Sequence, residues 1–229
     1  DTVVYGNPGK ADMERILSDV ELNKLARNYY CNIDINYKLD YSVIDTSRLR
    51  FTPVLLSVGC FNRCGFCIVG SVYKGKYRVR NFKHLMEELA EVRKSTKTIA
   101  FVDTNIYNNR KYLVKVCKEM IARNFGFTWG AQATVDIGED TEVLALLKKA
   151  GCKILYMGLE TIDQKNLDES NKKYCTDSYK NKINNIHNAG IKVGGFFMYG
   201  MDSDTKDTAT SMSNFIKENK IAIPMLNIL

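Results

Sequence analysis

Cys60, Cys64 and Cys67 stand in one short stretch, Cys60-Phe61-Asn62-Arg63-Cys64-Gly65-Phe66-Cys67. Spacings of four and three bring three thiols within reach of a single metal cluster. Gly59 and Gly65 bracket the run, so a loop that turns its thiolates inward fits better than a helix carrying Cys60 and Cys64 on one face. Iron–sulfur clusters are held by cysteine thiolates, usually four to a cubane. Three ligands leave one iron without a protein ligand, and an open iron can bind a substrate or cofactor where a fully ligated cubane mostly carries electrons. A structural zinc site wants a fourth Cys or His close by, and none follows Cys67. No Walker-type Gly-rich loop, HExxH sequence or Ser/His/Asp set is present, so hydrolytic chemistry has little support.

The loop follows the apolar run 53–59, and further apolar runs lie at 98–102, 127–133, 153–159, 193–199 and 222–229. Between them the spacing predicts helices near 81–94, 110–123, 140–150, 177–189 and 204–219. Phe82, Leu85, Met86, Leu89 and Val92 make one apolar stripe, and Tyr112, Leu113, Val116, Cys117, Met120 and Ile121 another. Gly151 and Gly190 sit where helix C-caps belong, while Thr176 or Asp177 and Asp204 or Thr205 read as N-caps. Strand and helix in alternation predict an α/β fold, a partial (β/α)6 TIM-like barrel of parallel strands with outer helices. A doubly wound open sheet is the competing architecture. Before the barrel, 3–5 reads as a strand, Gly6, Asn7, Pro8 and Gly9 as a turn, 11–27 as a helix and 28–50 as a connecting segment.

In barrels of this kind active-site residues gather after the C-terminal ends of the strands. The first strand there offers the three cysteines, the second Asp103, Thr104 and Asn105, and the third Gln132, Thr134 and Asp136. The fourth ends on Glu160 and the fifth on Tyr199-Gly200. Asp103 and Asn105 equally suit a turn or a helix cap, and Gln132 a satisfied amide within its strand. Glu160 follows an uninterrupted apolar strand, and a buried carboxylate there needs a partner. His84 and His187 fall on helices and read as structural.

The chain has 229 residues, 45% of them hydrophobic and 26% charged, which suits one large domain with an ordinary core. No apolar run is long enough for a membrane helix and residues 1–20 lack a signal-peptide pattern, so a cytoplasmic location is expected. Seven cysteines, three of them clustered, argue for reduced thiols rather than a disulfide framework. Cys117 and Cys152 read as small buried residues, Cys31 and Cys175 as loop thiols. The net charge of +7 is spread among acidic residues, so nucleic acid is not the expected partner. Residues 73–80 form the one local basic run with interleaved aromatics, suited to an anionic partner or to compensating a thiolate-ligated cluster.

Cys60-xxx-Cys64-x-Phe66-Cys67 at the end of a first barrel strand resembles the signature of radical S-adenosylmethionine (SAM) enzymes. Tyr77-Arg78-x-Arg80, Phe101-Val102-Asp103-x-Asn105, Ala150-Gly151-Cys152, Gly158-Leu159-Glu160-Thr161 and Gly195-Phe196-Phe197-Met198-Tyr199-Gly200 extend the likeness over about residues 50–229. Together they resemble the branch with a cobalamin-binding domain before the barrel, such as hopanoid methylases. The resemblance implies a [4Fe–4S] cluster on Cys60, Cys64 and Cys67 whose free iron chelates SAM. It implies reductive cleavage of SAM to a 5′-deoxyadenosyl radical, with an electron from flavodoxin or ferredoxin, and methyl transfer from cobalamin to a small-molecule or lipid substrate. It places Phe66 and the Tyr199-Gly200 turn near adenine, Asp103 and Asn105 near the methionine end, and Gln132 and Glu160 near the amino acid or ribose. Residues 1–50 then become the tail of an upstream cobalamin-binding-like domain and 51–229 the core barrel, truncated after its sixth strand, so that the chain reads as part of a longer protein. The stretch from Cys64 to Val69 with the basic run behind it also resembles tRNA methylthiotransferases. A metal-stapled module that binds nucleic acid is the non-enzymatic alternative.

Overall fold

Short apolar runs and amphipathic helices alternate along this chain, and each run can bury a face only where a helix stripe covers it. The computed structural model describes residues 3–5, 10–30, 35, 41, 49–73 and 75–229. In chain order its elements are β1 (Val3–Tyr5), α1 (Lys10–Glu21), β2 (Asn28–Tyr30), β3 (Thr52–Val54), β4 (Ser57–Gly59), α2 (Ile68–Tyr73), β5 (Tyr77–Val79) and α3 (Phe82–Ser95). Then come β6 (Thr98–Phe101), α4 (Arg110–Ala122), β7 (Thr128–Ala133), α5 (Thr141–Lys149), β8 (Cys152–Glu160), α6 (Gln164–Glu169), α7 (Tyr179–Asn188), β9 (Lys192–Tyr199), α8 (Thr208–Glu218) and β10 (Ile223–Ile228).

Six of the strands, β3, β6, β7, β8, β9 and β10, lie side by side in that order, every neighbouring pair parallel. The order never reverses, so the switch point of a doubly wound sheet is absent from it. Winding in one direction with helices between strands is the arrangement of a barrel wall. One face packs on the helices: Phe101 meets Trp129 edge-on with ring centroids 5.0 Å apart, and Phe197 meets Phe215 of α8 at 6.4 Å. Trp129 is fully buried and its indole N–H donates to the Ala150 carbonyl at 2.8 Å. The opposite face carries Gln132, Ile154, Tyr156, Phe196 and Met225 and lines an open, mainly apolar hollow of about 510 Å3.

The expected first strand, 53–59, divides into β3 and β4. β3 joins the main sheet beside β6, whereas β4 pairs antiparallel with β5. The Asp103 carboxylate explains the break: it accepts from the Leu56 backbone N–H at 2.9 Å and from the Ser57 hydroxyl, holding the chain out of the ladder between the two. Gly59 closes β4 at φ +84°, where a Cβ would fall 1.9 Å from the Lys76 carbonyl oxygen, so only glycine lets β5 approach this closely.

Several boundaries also move. The N-terminal helix stops at Glu21 rather than 27, and residues 28–30 pair in parallel with β1 instead of forming only a connection. The expected N-caps shift to Ser178 and Asp207, because a short 3-10 turn occupies 176–178 and Asp204 instead receives the Gly200 and Met201 backbone N–H groups. Helices α2 and α6 and strand β5 are too short to show a period and were outside the expectation. Gly151 and Gly190 follow α5 and α7 with positive φ, as C-cap residues do.

The basic run 73–80 is not one charged face. Arg80 is 2% exposed and its guanidinium meets Glu88 of α3 at 2.7 Å, while Tyr41 donates to the other Glu88 oxygen at 2.9 Å. Cys117 and Cys152 are buried, with burial pushing both thiols up, that of Cys117 to about 12; Cys175 is exposed. His187 contacts the Asn219 carbonyl at 3.1 Å within the helix layer. The turn read at Gly6, Asn7, Pro8 and Gly9, the loop thiol Cys31, Lys74 of the basic run and most of the connection 28–50 lie outside the described residues. Among the described residues no helix is long and apolar enough to cross a membrane.

Candidate active site

Cys60 follows β4 directly, and the loop it opens is fastened from two sides. From the β6 side, the Thr104 hydroxyl donates to the Gly59 carbonyl at 2.9 Å and the Asn108 amide donates to the same oxygen at 3.4 Å. From the segment after α6, the Ser170 carbonyl accepts the Gly65 N–H at 2.8 Å, the Asn171 amide donates to the Arg63 carbonyl at 2.9 Å, and the Asn62 amide donates to the Tyr174 hydroxyl at 3.3 Å. Within the loop the Cys67 N–H turns back to the Cys64 carbonyl at 3.1 Å. A glycine-bracketed loop with few apolar anchors of its own is thereby held by neighbours on either flank.

All three thiols are half-buried and line one cleft of about 310 Å3 at the C-terminal end of the sheet. Asn105, Gln132, Thr134, Tyr156, Glu160 and Lys172 share its walls. Burial pushes the Cys64 thiol up from its ordinary value, Lys172 pulls the other way, and Cys67 and Cys60 add to the rise. Among the described residues no three His, Cys, Asp or Glu side chains close tightly enough to hold a single metal ion. All three thiols face one cleft, and thiolates are the donors that hold iron–sulfur clusters, so the donor set fits such a cluster. The volume lies at the small end of the range for cofactor sites.

Glu160 sits at the edge of this cleft in an unusual conformation. It has φ +62°, uncommon for a non-glycine residue, at a register shift between β8 and β9 after which Glu160 pairs with Phe197. Its carboxylate meets the Lys172 ammonium at 2.6 Å, and that ammonium also donates to the Gly158 carbonyl at 2.7 Å. Gly158 makes room for the pair, since a Cβ there would come 2.2 Å from the Glu160 oxygen and 2.9 Å from the Lys172 nitrogen. Lys172 Nζ lies 5.7 Å from the Phe66 ring centroid and 5.5 Å from that of Tyr174.

The residues picked out in the sequence separate into two groups. Cys60, Cys64, Cys67, Asn105, Gln132 and Glu160 line the cleft. Asn105 also has a structural duty, its side-chain oxygen receiving the Tyr107 and Thr134 backbone N–H groups. Asp103 does not reach the cleft: it is 1% exposed and turned towards Leu56 and Ser57, and burial raises its carboxyl to about 6 against those hydrogen bonds. Phe66 is exposed and, like Tyr199 and Gly200, is not part of the cleft wall. Gly200 forms a turn beyond β9, closed by Asp204. Lys172 was not anticipated; it belongs to the polar run 171–173 after a helix too short to show a period, and only the need of Glu160 for a partner pointed towards it.

Residues 54–216 match the radical SAM superfamily. The chain is 26% identical over 185 residues to bacteriochlorophyllide d C-12(1)-methyltransferase of Chlorobaculum tepidum, an alignment covering 79% of this chain and 40% of that protein. It is 24% identical over 196 residues to hopanoid C-2 methylase of Rhodopseudomonas palustris, covering 82% of this chain and 37% of the relative. The chain thus spans less than half the length of these curated relatives. In three dimensions it resembles the cobalamin-dependent S-adenosylmethionine radical enzyme OxsB, with TM-score 0.73 at 13% identity over 93% of this chain and 36% of that one. With a three-thiol loop after its first strands, a sheet wound in one direction and a family match over most of its length, the chain belongs to the radical SAM superfamily.

Proposed function

We propose that this chain is the catalytic core of a radical SAM C-methyltransferase, holding a [4Fe–4S] cluster on Cys60, Cys64 and Cys67. The observation that carries the reading is the set of three half-buried thiols lining one cleft at the C-terminal rim of a parallel sheet. When bound there, the cluster and SAM supply a reductively generated 5′-deoxyadenosyl radical. The chain's own residues do the holding. The flanking segments fix the loop, Lys172 sets a positive charge beside the thiols, and Glu160, Gln132 and Asn105 offer polar atoms at the cleft wall to a bound SAM. The apolar hollow next to the cleft, faced by Tyr156 and Phe196, would take the substrate.

Methyl transfer is supported by the named activities of both relatives, and cobalamin by the name of the structural neighbour. The cobalamin would be bound by a part of the protein other than 51–229, with residues 1–50 leading to it. The partners that follow are a small-molecule or lipid substrate and a low-potential electron donor in a reducing, cytoplasmic setting that keeps the thiols free.

The test uses the intact protein, reconstituted anaerobically with iron and sulfide. A [4Fe–4S] content of about one per chain, cleavage of SAM to 5′-deoxyadenosine on addition of dithionite, and loss of both in Cys60→Ala, Cys64→Ala and Cys67→Ala are expected. A complete cluster with no SAM cleavage overturns the proposal. Cobalamin retained on gel filtration supports the methyltransferase assignment, and its absence from the intact protein argues against it.

A further inference from the structure

The loop that carries the thiols has a second side. A smaller hollow of about 230 Å3 lies behind it, lined by Phe61, Arg63, Asn171, Lys173 and Tyr174 together with Cys64. Asn62, Cys64 and Lys172 line both this hollow and the 310 Å3 cleft, so the loop is the wall between them. Of the three thiols, Cys64 is the one that lines both hollows.

The chemistry of this outer side is one-signed. Arg63 and Lys173 are exposed, neither has a carboxylate partner among the described residues, and no acidic side chain lines the hollow. The Arg63 guanidinium reaches towards the turn at Gly75, where a Cβ would stand 3.6 Å from it. Next to that turn, exposed Lys76 extends the same charge. Phe61, 59% exposed, stacks on Tyr77 of β5 with centroids 4.9 Å apart, which sets an apolar ring in the middle of the cations. Lys173 and Arg63 gain nothing for the fold by lying unpaired on the same small surface, since like charges there repel.

We infer that this outer face of the cysteine loop, centred on Phe61 and framed by Arg63, Lys76 and Lys173, docks an acidic one-electron carrier protein that reduces the cluster. The inference rests on the cluster reading above. Electron transfer falls steeply with distance, so a donor must come close to a cluster ligand from a side that leaves the cleft free for SAM, and the Cys64 wall provides that approach. Transient redox complexes form at the low end of interface areas, so a docking surface of this kind need not be large. Its charge favours fast, salt-sensitive encounter with an acidic partner rather than lasting affinity. In the step, a reduced flavin on the carrier loses one electron and becomes the semiquinone, and the cluster gains that electron; no bond to the protein forms or breaks.

The experiment compares the intact, reconstituted protein with its Arg63→Glu/Lys173→Glu variant. The probe is flavodoxin in its hydroquinone form, and bleaching of the cluster absorbance is followed by stopped flow at low and high salt. Dithionite, a small reductant that needs no docking surface, is the control arm. The variant should keep the wild-type iron content and dithionite rate, while its second-order rate with flavodoxin at low salt falls roughly 10- to 100-fold and loses most of its salt dependence. An unchanged flavodoxin rate and salt slope in a variant that dithionite still reduces overturns the inference. A wild-type protein in which no cluster forms, or none that dithionite reduces, instead refutes the cluster reading and the inference with it.

Discussion

Lys172 and Glu160 are 7% and 11% exposed at their side chains, and their 2.6 Å contact is the most enclosed pairing at the cleft. Removing one partner of a buried ion pair leaves the other charge without compensation, which commonly costs about 3–5 kcal/mol. Lys172→Met should therefore destabilise the protein by about that amount, whereas Glu160→Gln/Lys172→Met should recover a large part of it. Urea unfolding of the single and double variants reads out the coupling, and strictly additive effects would show that the pair contributes nothing as a pair. Asp103 behaves differently because burial raises its carboxyl to about 6 from 3.8. A group that binds its proton more tightly when folded makes stability fall as pH rises from 3.8 to about 6, with no further change above. The stability difference between wild type and Asp103→Asn should accordingly shrink by up to ~3 kcal/mol across that range. Denaturation midpoints at pH 4, 5, 6 and 7 check it, and a difference that does not vary with pH would refute it.

At the scale of elements, the cysteine loop stands on the two short strands β4 and β5, and Gly59 is what lets them meet. Gly59→Ala puts a methyl group into the Lys76 carbonyl and forces alanine into a left-handed conformation, the latter alone costing about 1–3 kcal/mol. The variant should take up less iron on reconstitution and melt at lower temperature; normal iron content at an unchanged melting point would show that the strands can part without disturbing the loop. This joint was not legible in the sequence. The run 53–59 is apolar but for Ser57, and nothing in its period reveals that Asp103, 46 residues downstream of Ser57, breaks it. Long elements were legible for the opposite reason: α3 and α4 carry full apolar stripes, and β7, β8 and β9 end where glycine and polar residues say they should. Among the residues that line the cleft, the cysteines stood out from their spacing alone. Lys172 did not, because it returns to Glu160 only after the short helix α6, and side chains that meet across such a connection leave no periodic trace.

Taken whole, the molecule's main sheet adds its strands in the order in which the chain supplies them from β6 to β10. Spatial neighbours are therefore sequence neighbours one or two helices apart, which keeps the loop-closure cost of each new strand nearly constant along the chain. Such a wall behaves less like a sealed core than like a row of courses, each seated on the one before. Among the described residues β10 has a partner on one side and bears Leu226 at 58% and Ile228 at 78% exposure, so within residues 1–229 it should open first. Native-state hydrogen exchange should find the amides of β7 and β8 slowest, those of β9 intermediate and those of β10 fastest. The cysteine loop would then keep its footing while the far edge frays, so exchange in the loop segment should be independent of exchange in β10. A single shared opening rate for both would instead make the wall one cooperative unit, and would mean that loosening the far edge also loosens the thiols.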